Sequence, residues 1–150
     1  MKGSARMKTA ANKTLTALFV SIVMAAAFTA CSTFPHRPAD QAVRLRVEAF
    51  MTAKVNKDWT KAYSFFDSSY QKTITEQQFS KKIEKIEFKT FTIESITVAA
   101  DGKQATVKVK SDVITEGFDF KDNLETQNWI KQGWKWYLHV PPKDAKEFFK

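Results

Sequence analysis

The spacing of apolar residues changes once along this chain, near Glu87, from a helical period to strict alternation, and that switch restricts its fold more than any other feature. Before it, Val43, Val47, Phe50, Met51 and Val55 form one stripe of an amphipathic helix, with Asp40 placed to cap it. A second, shorter helix is expected at Trp59, Ala62, Tyr63 and Phe66, capped by Asp58 and ended by the "DSS" at 67–69. The third helix has the sharpest local signature. Thr75 and Gln78 match a capping box, and Ile74 with Phe79 occupy the two positions of a hydrophobic staple. After the switch, "FKTFTIESITVAA" alternates with a phase slip near Ser95, where a bulge fits. Asp101 and Gly102 mark a hairpin turn. Ala105, Val107, Val109, Ser111 and Val113 then share one strand face, opposite Thr106, Lys108, Lys110 and Asp112. A third strand is expected over residues 124–130 and a turn at Gln132 and Gly133. A fourth strand would put Trp134, Trp136, Leu138 and Val140 on one face and stop at Pro141 and Pro142. This order predicts an α+β fold, with three N-terminal helices packed on a curved, mainly antiparallel four-stranded sheet. With 150 residues, 13 of them phenylalanine, the chain can build the core of one domain.

Charge is unevenly placed. The formal net charge is +8, but residues 1–30 hold four basic side chains (Lys2, Arg6, Lys8 and Lys13) and no acid. Residues 31–150 carry 20 basic and 16 acidic groups, so a nucleic-acid partner is not expected. The basic segment runs into a 14-residue apolar stretch, "LTALFVSIVMAAAF", and then into small residues. That is the order of a secretory signal. The stretch is shorter than the roughly 20 residues a membrane-spanning helix needs. Basic residues ahead of it hold that end in the cytoplasm and send the rest of the chain across the membrane.

Cys31 is the only cysteine. It precedes every segment that looks folded, has no second cysteine to pair with and has no nearby base, so neither a core thiol, a disulfide nor a nucleophile explains it well. "Phe28-Thr29-Ala30-Cys31" resembles a bacterial lipobox, with Phe where Leu is more usual at the outermost position. The resemblance implies a diacylglyceryl thioether on Cys31, cleavage before it, and acylation of the new amino group. Buried acyl chains contribute about 0.8 kcal/mol per methylene, and two or more of them anchor stably. Cleavage after Ala27, which Ala25 and Ala27 also allow, would release a soluble protein instead. Ser32, rather than Asp, comes directly after the cysteine, a pattern similar to that of lipoproteins delivered to the outer membrane. The expected organisation is a signal peptide at 1–30, a lipidated tether at 31–39, the folded domain at 40–140 and a tail at 141–150. The expected place is the bacterial cell envelope, held by lipid on Cys31 in the outer membrane and facing the periplasm.

Within the domain, the "DWTKAYSFF" and "ITEQQFSKKI" helices and the closing "GWKWYLHV" strand resemble the nuclear-transport-factor-two-like superfamily. The resemblance covers residues 40–140 and implies a cone-shaped α+β roll. Enzymatic members place Asp, His or Tyr inside the cone, which directs attention to the inward faces. The inward set of the second strand is Ala, Val, Val, Ser and Val, without acid or base. His36 falls in the tether, and His139 shares a face with Lys135 and Tyr137, which points to an edge or surface position. Glu94 and Asp119 are the remaining acid candidates, and Asp112 is expected to pair with lysines on the outer face. No metal-ligand spacing and no glycine-rich phosphate loop occurs, so no metal or cofactor is expected. Lys81, Lys82, Lys85 and Lys89 form a solvated face with weak attraction to anionic headgroups.

The aromatic residues Trp59, Tyr63, Phe66, Phe79, Trp134 and Trp136 read as core or as the lining of an apolar pocket. Phe118 and Phe120 read as a loop at its mouth or as a strand start with both rings buried. These readings predict a lipid-anchored protein that binds a partner protein or a small apolar ligand without catalysis. The alternatives are a small lyase or isomerase of the same fold, and a structural homodimer paired across an apolar sheet face.

Overall fold

The structure is a computed structural model in which residues 37–141 are described; Cys31, the expected signal peptide and residues 142–150 of the tail lie outside them. Helix α1 spans Ala39–Val55. Pro38, not Asp40, holds its N-cap position; Asp40 lies inside the first turn, where a carboxylate meets the positive end of the helix dipole. Helix α2, Trp59–Tyr63, is capped by Asp58, whose carboxylate accepts the Lys61 N–H at 3.0 Å.

The "DSS" segment does more than end α2. Asp67 caps a further short helix, α3 (Ser68–Thr73), by accepting the Tyr70 N–H at 2.9 Å. Helix α4, Glu76–Ile83, has its capping box complete: Thr75 N–H donates to Gln78 Oε1 at 2.9 Å and Gln78 N–H to Thr75 Oγ1 at 3.3 Å. Ile74 and Phe79 are both buried, as a staple requires.

Strands β1 (Ile86–Val98), β2 (Gln104–Thr115), β3 (Phe118–Gln132) and β4 (Lys135–His139) form one antiparallel meander in that order. Register shifts between Phe88 and Thr90, between Ile93 and Ser95, and between Ser111 and Val113 bend the sheet, and the second is the phase slip seen in sequence. β3 begins six residues before the expected 124, because Glu116 and Gly117, both at positive φ, form a tight turn directly into Phe118.

The core lies where α1 meets the concave face. Val43, Val47, Phe50 and Met51 are buried against Val107, Val109, Trp129, Trp136 and Leu138. Phe50 is its aromatic hub, with ring centroids 5.8 Å from Phe65 and Phe66 and 6.1 Å from Trp129. The segment after α2 docks on the free edge of β4. Leu138 N–H donates to Phe65 O at 2.8 Å, and Asp67 N–H donates to Leu138 O at 3.0 Å. This bridge carries the buried Asp67 to the end of β4.

Candidate functional site

A cavity of about 480 Å³ lies between the helices and the concave sheet face. Its walls are largely apolar: Phe50 from α1, Phe66 from the docked segment, Phe79 and Ile83 from α4, Phe88 and Val113 from the sheet. Thr115, Asn123, Thr126 and Asn128 add polar atoms to that surface, and two carboxylate-centred pairs interrupt it.

The first comes from α1 and β3. Lys54 is 4 % exposed, yet it sits on the cavity wall with its Nζ 3.2 Å from Glu125 Oε2. The ammonium also lies 4.1 Å from the Phe88 ring centroid and 5.1 Å from that of Phe50. Glu125 Oε1 accepts from Gln127 Nε2 at 3.2 Å, and Gln127 Oε1 accepts from Trp129 Nε1 at 3.1 Å. A hydrogen-bonded row therefore runs along the inward face of β3. Inside a low-dielectric site such a row is stable only when its members are satisfied.

The second group is His139 with Asp67. His139 ends β4 and lines the cavity; its Nδ1 lies 2.5 Å from Oδ2 of Asp67, which is 1 % exposed. Burial alone would push the Asp67 carboxyl up. The hydrogen bonds from His139, the Tyr70 N–H and the Ser69 hydroxyl, together with the charge of His139, outweigh it and hold the carboxyl below its ordinary 3.8. An ionised Asp67 can only accept, so Nδ1 is the donor and Nε2 of a neutral His139 is left with the lone pair. Tyr70, stacked on Phe66 at 4.1 Å, also lines the cavity; burial pushes its phenol up, so it stays protonated at neutral pH.

His139 lies on the edge strand of the sheet, in keeping with alternation, and its side chain is 34 % exposed. Its face in β4 points away from the core, but the docked Phe65–Asp67 bridge covers that end of the strand and supplies a carboxylate. Glu94 and Asp119 are not inside the cone. They are exposed and pair with Lys110 at 2.6 Å and with Lys121 at 3.2 Å. Asp112 faces outward as expected, but its lysine partner is Lys121, across the β2–β3 hairpin, at 3.5 Å.

Of the aromatic candidates, Phe66 and Phe79 line the cavity, and Trp136 is buried in the core beside it. Trp59 and Tyr63 are half-buried against the core, Tyr63 donating its hydroxyl to Ile74 O at 2.7 Å. Trp134 is 80 % exposed because the β3–β4 turn takes Gly133 and Trp134 together, leaving Trp136 as the first inward residue of β4. Phe118 and Phe120 do begin a strand, but both rings are exposed. The outer face of β2 shows Thr106 and Lys108 to solvent rather than an apolar surface. Among the described residues, no helix is long and apolar enough to cross a membrane, and no three His, Cys, Asp or Glu side chains cluster as metal ligands.

Lys54 and Glu125 escaped sequence reading, although a signal existed. Position 54 continues the stripe 43, 47, 50, and Glu125 shares the parity of Gln127 and Trp129. A charged residue on an apolar stripe is a buried-pair candidate once its partner is known.

No family profile matches the chain, and no curated protein matches it in sequence. Solved structures do match in shape. A SEC-C-motif-containing protein from Rhodopseudomonas palustris has a TM-score of 0.57 at 14% identity, covering 69% of this chain and 79% of that one. A SEC-C-motif-containing protein from Psychrobacter arcticus also has a TM-score of 0.57, at 11% identity, over 73% of this chain and 64% of that one. An LEH-like epoxide hydrolase from M. tuberculosis has a TM-score of 0.50 at 12% identity, over 76% of this chain and 89% of that one. At such identities the likeness concerns the backbone alone. The chain has an α+β fold, with helices on a curved four-stranded antiparallel sheet.

Proposed function

We propose that this is a lipid-anchored bacterial envelope protein whose cone holds a small, mainly apolar ligand. The cavity carries the binding half of the reading: at about 480 Å³, with mostly hydrocarbon and aromatic walls and a few polar groups, it has the size and character of a small-molecule site. The lipobox-like "FTAC" ending at Cys31 supports the anchor.

Two measurements on the full chain expressed in a Gram-negative host test the halves separately. Intact mass with membrane fractionation should give residues 31–150 plus acyl chains in the membrane fraction; an unmodified soluble species would refute the anchor. Calorimetric titration of the purified protein in lipid nanodiscs with 2-ethylnaphthalene, blanked against empty nanodiscs, should show saturable binding. Val113→Phe, which puts a ring into the cavity, should weaken it at least about tenfold. Unchanged affinity in that variant would place the ligand elsewhere.

The His139–Asp67 pair favours a second reading, in which the same cavity is the active site of a small lyase or isomerase. His139 would be the general base through Nε2, and Asp67 would act through it as a positioning residue. In a His36→Gln background, ¹⁵N NMR should then find the neutral form of His139 as the Nδ1–H tautomer. An Nε2–H tautomer would remove the base and this reading with it.

A further inference from the structure

The Lys54–Glu125 pair has chemistry that the apolar walls do not explain. Lys54 carries three N–H donors, and a buried ammonium with one carboxylate partner retains donor capacity toward the cavity it lines. Its other neighbours are the Phe88 and Phe50 rings, which attract the cation without accepting a strong hydrogen bond. Glu125 is the opposite case, since Lys54 engages one of its oxygens and Gln127 the other. The pair as a whole is electrically neutral; its spare donors are on Lys54, while the lone pairs Glu125 keeps are on oxygens already engaged. A ligand carboxylate brought to it would meet Lys54 and Glu125 at nearly the same range, so the attraction of one is offset by the repulsion of the other. A carbonyl oxygen needs only a donor, and it meets no such penalty.

We infer that the cavity takes a neutral apolar molecule bearing a carbonyl oxygen, or a comparable uncharged acceptor, which Lys54 binds while Glu125 cancels the lysine charge. This inference rests on the binding reading above and narrows its ligand class.

The test adds two probes to 2-ethylnaphthalene in the same nanodisc titration: 2-acetylnaphthalene, of nearly the same size with a ketone, and 2-naphthoate, its anionic counterpart. The ketone should bind about tenfold more tightly than the hydrocarbon, the effect of one hydrogen bond to a charged donor. It should also bind more tightly than 2-naphthoate. The paired replacement Lys54→Met with Glu125→Leu, which leaves no buried charge unmatched, should bring the ketone and hydrocarbon affinities together. Lys54→Arg, which keeps donors and charge, should retain the preference. Equal wild-type affinities for ketone and hydrocarbon would overturn the inference and leave ligand binding standing. Tighter binding of 2-naphthoate would overturn it in favour of an anionic ligand. Failure of all three probes to bind would remove the binding reading and this inference together.

Discussion

Glu125→Leu is expected to lower unfolding stability by about 3 kcal/mol, because it leaves the Lys54 ammonium buried without a counter-charge. The Lys54 side chain is only 5 % exposed, so it cannot recover its hydration without disturbing the C-terminal turn of α1. The loss does not stop at one pair. Gln127 donates to Glu125 and accepts from the fully buried Trp129, so removing the carboxylate also leaves a buried amide donor short of a partner. Adding Lys54→Met should restore most of the stability, since replacing a whole buried pair by apolar side chains is often close to neutral. Urea unfolding of the two single variants, the double variant and the parent gives the coupling directly. If Glu125→Leu stays within about 0.5 kcal/mol of the parent, Lys54 is reaching water and the pair does not belong to the cavity wall.

Asp67→Ala should cost about 3 kcal/mol at neutral pH, through the lost cap on α3 and the lost charge-assisted bond to His139. Its pH dependence separates it from a core truncation. The Asp67 carboxyl is held below its ordinary 3.8 in the folded protein, so the folded state binds that proton less readily than the unfolded state does. The stabilisation is therefore complete above the ordinary value and disappears as pH falls through the lowered one. The gap between parent and Asp67→Ala should accordingly narrow as pH falls into the acid range. A gap unchanged down to the bottom of the folded range would mean the carboxylate charge contributes nothing. Asp67→Asn, which keeps a capping side chain, should fall between the two at neutral pH.

How much of this was legible in sequence depended on the range of the interaction. The capping box at Thr75 and Gln78 and the cap at Asp58 involve residues three apart, and the structure places each where the local pattern did. The inward set Ala105 to Val113 is buried because alternation along one strand specifies its own faces. Helix α3 was missed because six residues around one tyrosine are too few to show a period, and Asp67 read as a terminator rather than a cap. Trp134 was misplaced by one turn geometry: with Gly133 and Trp134 both taken into the loop, the inward alternation starts at Trp136.

The candidate site was the least legible part, for a physical reason. Asp67 and His139 are 72 positions apart, and Lys54 and Glu125 are 71 apart. By itself, the sequence determined the order of helices and strands, the bulge near Ser95 and the apolar faces that must meet, since those arise from periods of 3.6 and 2 within short windows. Tertiary structure alone decided what the cone contains. It laid the Phe65–Asp67 segment along the free edge of β4 and brought the last turn of α1 across to β3. Those two closures gave an edge histidine and a helix-end lysine their carboxylate partners at the cavity wall, because residues so far apart in sequence meet only through long-range packing.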